Sequence, residues 1–217
     1  MVVVGLIKPL VNYLIVNSMN IQDTIMPILR KAETLGTEKL DDGTLLIGRV
    51  PHIAPLARLH IVPGGLREEG IALLEDHINR KIPNNYRDFL RQTNGLHVYS
   101  DAISLDGLRT NYARDIAGAW QPFSLIEPNT YERPRDAKDS YLFIGGYGYD
   151  GSSLFVDSDS GKVYRCAQKY ASEIFNVWPD FWTMLTSEVE RLDGLFDAEG
   201  KKKYPDRPTT PEPNINI

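Results

Sequence analysis

Gly146, Gly148 and Gly151, in the run GYGYDG, spell G-x-G-x-x-G directly after a strand-like segment, the spacing that lets backbone amides approach a phosphate. That chemistry needs more than spacing. A dinucleotide turn hands over to a helix whose N-terminal amides hold the pyrophosphate, whereas here Ser152–Asp157 continues as strand. Ser152 stands where a P-loop has its lysine, and the chain carries neither an H-R-D nor a D-F-G triplet, which excludes an NTPase loop and a protein kinase. The glycines therefore read as a structural turn, with no nucleotide or other cofactor expected.

The remaining reactive residues are dispersed. His52, His60, His77 and His97 fall on different segments and form no ligand pair at metal spacing, so no metal is expected. Asp157, Asp159 and Gly161 resemble the opening of a calcium loop, yet the glycine comes one place early and Gln168 stands where the bidentate glutamate belongs. A turn held by aspartate side chains is the plainer reading. No G-x-S-x-G elbow exposes a serine, and Cys166 has no identifiable histidine partner, so no catalytic residue is assigned. Tyr147, Tyr149 and Trp120, with the neighbouring Asp150, remain as candidates for contact with a partner, because aromatics on turns and long loops anchor interfaces. The alternative, that these aromatics cap the edge of the core, is equally open.

The elements that position these residues centre on Tyr141–Cys166. Its strand-like runs Tyr141–Ile144, Leu154–Asp157 and Val163–Cys166 alternate with turn-forming Gly145–Gly151 and Ser158–Gly161, the pattern of a β-meander. Ahead of it, Thr24–Leu35 reads as a short helix capped by Asp23 or Thr24 and stopped by Gly36, and Leu45–Val50 and Leu56–Val62 as strands. Leu66, Ile71, Leu74 and Ile78 then recur at helical spacing with Glu75 on another face, and a second helix opens at Pro83, carries Ile82, Tyr86, Phe89 and Leu90, and stops at Asn94-Gly95. Asn111–Pro134 is expected as a surface loop with a short helix. Trp178 and Pro179 are expected to open a C-terminal helix, and the Pro-rich, polar residues 197–217 to be disordered.

A chain of 217 residues with 42% hydrophobic content suits one domain, here divided as an apolar extension at 1–18, a helix and strands at 19–65, a core at 66–196 and a tail at 197–217. Its formal charge of −5 argues against a general nucleic-acid binder and for a basic partner. One cysteine cannot form an internal disulfide and suits a reducing cytoplasm. The opening MVVVGLIKPLVNYLIV is too short to cross a bilayer and is broken by Lys8 and Pro9, so no membrane association is expected; Met19 offers an alternative start, with residues 1–18 otherwise a loosely attached strand.

The run LLEDHINRKIPNNYRDFLRQTNG, followed by GYGYDG, LFVD, SGKVYR and a closing helix from Trp178 to Leu192, resembles the signature order of the SUKH superfamily over roughly residues 66–192. Pro83, Tyr86, Phe89, Asn94, Gly95, Asp150, Gly151, Asp157, Gly161 and Trp178 match signature positions, and most of these look fold-determining. The elements together lead to an expected α+β fold with a mainly antiparallel sheet built on the meander, flanked by the helix pair and the C-terminal helix. The resemblance implies a non-catalytic module that binds protein, and with the single cysteine the expected location is the cytoplasm. Bacterial relatives are mostly immunity proteins against toxin domains, often nucleases, and the family is similar to a fungal regulator of cell-wall synthesis. A basic toxin domain is thus the expected partner, and a scaffold or regulatory role the alternative; an enzyme ranks third.

Overall fold

The computed structural model describes residues 19–215, so the expectations for residues 1–18 lie outside it. Nine strands form one sheet in sequence order, each antiparallel to its neighbours: β1 (Thr37–Lys39), β2 (Leu45–Arg49), β3 (Arg58–Val62), β4 (Leu96–Val98), β5 (Ile103–Leu105), β6 (Tyr141–Gly146), β7 (Ser153–Asp157), β8 (Val163–Cys166) and β9 (Ile174–Trp178). The meander of β6, β7 and β8 extends in both directions, and the fold is α+β. Short turns make this order possible, since antiparallel neighbours need only a hairpin between them.

One face of the sheet is covered by α3 (Glu68–Ile78), α4 (Asn84–Gln92) and α6 (Phe181–Asp193). Ile71, Leu74, Tyr86, Phe89, Phe181 and Leu185 from these helices share a core with Val98, Leu105, Leu142, Ile144, Leu154 and Val156 from the strands. Tyr86, Phe89 and Phe181 meet with ring centroids 5.1–5.4 Å apart, near the optimum for aromatic pairs. Residues of opposite parity, Phe143, Phe155 and Cys166, form a smaller cluster on the other face, as the two-residue period of a strand requires.

Several expectations are corrected. The first helical segment starts earlier, as α1 (Ile21–Thr24), α2 (Met26–Leu29) and a 3₁₀ turn (Arg30–Leu35); Asn20 is its cap, accepting from Gln22 N at 2.8 Å. Glu75 is buried in α3, because Lys81, Arg87 and the Ile82 amide all donate to its carboxylate at 2.6–3.1 Å. Trp178 ends β9 instead of opening a helix, and Asp180 caps α6 through Thr183 N at 2.9 Å. The 111–134 excursion, which contains α5 (Ile116–Ala119), is not all surface: Leu125 and Asn129 are buried, and Asn129 exchanges hydrogen bonds with the Phe143 backbone.

Residues 197–215 of the tail, where composition suggested disorder, pack against the sheet, and residues 216–217 lie outside the described residues. Asn214 N donates to Phe175 O at 3.1 Å, Val177 N donates to Asn214 Oδ1 at 2.9 Å, and Asn176 Nδ2 donates to Glu212 O at 2.7 Å. This segment covers the outer edge of β9, whose unpaired peptide groups select a partner irrespective of apolar pattern.

Candidate partner-binding face

The face of the sheet away from the helices is where the chain leaves concave and apolar surface open. In β5, Ile103 and Leu105 enter the core, so Ser104 and the following Asp106 point the other way. Opposite them, β6 bulges at Gly145, which has a φ of +147° and lies so close to Ser104 O that any added Cβ would collide with it, so only glycine fits. The result is a cleft of about 660 Å³ floored by Ser104, Asp106, Gly145 and Ser153 and walled by Tyr112, Phe123 and Glu127 of the excursion.

Beside this cleft the β4–β5 turn carries Tyr99, Ser100 and Asp101 in succession at φ of 51°, 51° and 66°, left-handed values that side chains rarely adopt. Neighbours hold it there: Ser100 N donates to Leu59 O at 2.8 Å, His97 Nδ1 lies 2.6 Å from Asp101 Oδ1, and Gly148 N donates to Asp101 O at 3.2 Å. Strain of this kind persists only where the surroundings over-determine it, and it clusters at working surfaces. Three hollows converge on Asp101. Besides the cleft, one of about 670 Å³ runs past Ile53, Tyr149 and Phe196, and one of about 480 Å³ past Leu56, Ile116 and Trp120. Ile53, Leu56, Ile116, Phe123 and Tyr149 are each about half exposed around them, an apolar grouping on a chain whose core is otherwise closed.

The aromatics and acid singled out from sequence divide between interior and surface. Tyr147 is buried; its hydroxyl donates to Glu188 Oε2 at 2.8 Å and its ring lies 5.2 Å from the Arg165 guanidinium. Burial, then the Glu188 charge, pushes its phenol far above the usual range. It borders the cleft with little of its surface exposed. Asp150 binds Arg165 at 2.5 Å and accepts from Ser152 N and Oγ at 3.0 and 2.6 Å. Burial acts to raise the Asp150 carboxyl, but the Ser152 hydrogen bonds and Arg165 outweigh it and hold it low. Arg165 also donates to Asn176 and to Pro211 O, tying the GYGYDG turn to the tail. Tyr149 alone of that turn's side chains is well exposed among the aromatics, with Lys202 Nζ 5.8 Å from its ring, and Trp120 is half-buried on the rim.

The other signature positions make their contacts within the fold. Tyr86 donates to Asp106 O and Ile144 O at 2.5 and 3.1 Å, and Asn94 exchanges hydrogen bonds with the Leu108 backbone. Pro83 leads into α4, Phe89 is in the core, and Gly95 turns at φ 81°. Asp157 gathers Asp159 N and Ser160 Oγ in the turn that Gly161 closes, so its oxygens are engaged where a calcium loop would leave them free. Gly151 turns at φ 70°, and Trp178 is buried at the end of β9.

Sequence reasoning missed Asp106, Glu127 and the apolar rim. Burial, then the Glu127 charge, pushes the Asp106 carboxyl up to about 8. Glu127 Oε1 accepts from the Tyr112 hydroxyl at 3.1 Å, while Oε2 is shut from solvent without a partner. The alternation in ISLD pointed to an outward Asp106, but nothing local indicated what would stand over it. Among the described residues no three His, Cys, Asp or Glu side chains converge to hold a metal, and no helix is long and apolar enough to cross a membrane. Burial pushes the Cys166 thiol up to about 12, which keeps it a poor nucleophile.

No curated protein matches the chain. A family model does: that of the SMI1 / KNR4 family (SUKH-1) matches residues 65–187, from just before α3 into α6.

Proposed function

The chain belongs to the SMI1 / KNR4 family (SUKH-1), and from that membership we propose that it is a non-catalytic protein-binding module acting as a cytoplasmic immunity protein, whose partner is a basic toxin domain. The observation that carries this reading is the rim around Asp101, where half-exposed Ile53, Leu56, Ile116 and Tyr149 border three adjoining hollows. The carboxylates gather in the cleft, at Asp101, Asp106, Glu127 and Glu132, while Lys201, Lys202 and Arg58 line the other two hollows. Apolar anchors beside an acidic cleft supply the two parts of such recognition, affinity from the anchors and encounter and orientation from the charge. Tyr149 and Trp120 remain proposed contacts, and Asp101 replaces the paired Asp150 as the acid nearest the partner.

Co-expression with the toxin encoded beside this gene tests the proposal, with cell survival and purified-complex affinity as readouts. Protection is expected, and Tyr149→Ala or Trp120→Ala should each weaken binding by about 2 kcal/mol, the size of an interface hot spot. A toxin that still kills and does not bind the folded protein would reject immunity.

A further inference from the structure

Four Asp, Glu or Arg residues are buried among the described residues: Glu75, Asp106, Arg165 and Glu188. Glu75 is paired with Lys81 and Arg87, Arg165 with Asp150, and Glu188 with Arg191. Asp106, 7% exposed, has neither an ion pair nor a side-chain hydrogen bond, although it lines an open cleft. Across that cleft stands Glu127, whose Oε2 is also without a partner. A buried carboxyl left unmatched costs stability, and two facing each other cost more.

The cation nearest at hand does not resolve this. Arg109 lines the same cleft, but its guanidinium donates to Gly118 O and Pro122 O at 2.9 and 3.1 Å and forms no ion pair. Glu132 and Asp101, the other charged groups lining the cleft, are acidic. The Tyr112 ring in its wall already lies under the Arg109 guanidinium, 5.5 Å away, which leaves the half-exposed Phe123 ring as the surface that suits the flat side of a further cation.

We propose that the Asp106–Glu127 cleft is a socket for the cationic side chain of an arginine or lysine presented on a partner protein. This deepens the partner-binding reading and rests on it for the source of the side chain, but not for the socket's chemistry. The incoming cation meets the carboxyl oxygens of Asp106 and Glu127 and displaces the proton that Asp106 holds. Because the Asp106 carboxyl stands at about 8, the empty socket is mostly protonated at pH 7; cation binding ionises it, and the released proton goes to the buffer. Affinity therefore rises with pH towards 8, as the proton becomes easier to displace.

The probes are Nα-acetyl-arginine methylamide, the lysine counterpart, and the neutral citrulline isostere, titrated into the full chain by carboxyl-labelled NMR and calorimetry in buffers of different ionisation enthalpy. The charged probes should bind in the millimolar range and at least about tenfold tighter than citrulline, with shifts at Asp106 and Glu127 and net proton release. The tighter of the two charged probes identifies the residue type. Asp106→Asn, which keeps the shape, and Glu127→Gln should each remove the preference for charge. Equal binding of citrulline, or undiminished binding of the charged probes by both folded variants, would overturn the proposal. Since no toxin is involved, a socket that binds beside a failed immunity assay would separate this proposal from the functional one.

Discussion

The two faces of the sheet treat buried charge differently. On the helix-covered side, Glu188 is closed by Tyr147 and Arg191, and Arg165 by Asp150, Ser152 and Asn176, so each ion is desolvated only where donors or acceptors replace water. On the open side, the Asp106 side chain and Glu127 Oε2 are withdrawn from water without a matching partner. The lesson is that the first face was built to hold the fold and the second was left with an unmet demand. That demand is what a partner can satisfy.

The largest effect is expected on the covered face. Phe89→Ala removes a fully buried ring packed on Tyr86 and Phe181 and should cost about 4 kcal/mol in chemical denaturation. A loss under about 1 kcal/mol would mean that this core does not bear the stability assigned to it.

Asp150→Ala should come next. It strands Arg165, whose side chain is 5% exposed, and is expected to cost about 2–3 kcal/mol, less than a fully enclosed pair because Asp150 is itself 33% exposed. Removing residues 197–215 takes from Arg165 and Arg191 their acceptors on Pro211 and Thr209 and uncovers β9. A loss of about 2 kcal/mol, or roughly 4–8 °C in Tm, is expected by calorimetry. An unchanged midpoint would return the tail to the role its composition suggested.

Asp106→Asn should go the other way and stabilise the free protein by at least about 1 kcal/mol at pH 8. The sign follows from linkage: the folded pKa, about 8, lies above the unfolded value, so the carboxyl's cost is absent at low pH and grows as pH rises towards 8. The advantage of the variant should therefore vanish near pH 4, and a pH-independent difference would show that ionisation is not its cause. Tyr149→Ala should have the smallest effect on stability, within about 0.5 kcal/mol, while weakening partner binding. A large loss of stability would make Tyr149 a second scaffold residue beside Tyr147 and erase the distinction between the two faces.

Much of the scaffold was legible because its signals are local. The helical spacing of Tyr86, Phe89 and Leu90, the stop at Gly95, and the alternation of LFIG with LFVD around glycine turns each act over a few residues, and those segments fold as read. Strand β9 was missed because its residues divide between the core, the second apolar cluster and the polar bonds to Arg165 and the tail, leaving no simple alternation.

The candidate face lies beyond such reasoning. Tyr147 and Tyr149 are two places apart in one turn, yet one enters the core and the other stands in solvent; the Gly145 bulge and the hydrogen bond from Gly148 to Asp101 decide which. Sequence determined that Asp106 follows a buried Leu105 and so leaves the core. Only the tertiary structure decided that Glu127, returning on a distant loop, would line the same cleft, because the energy of two neighbouring carboxyls depends on their separation in space and their distance from water, neither of which is a property of the chain's order.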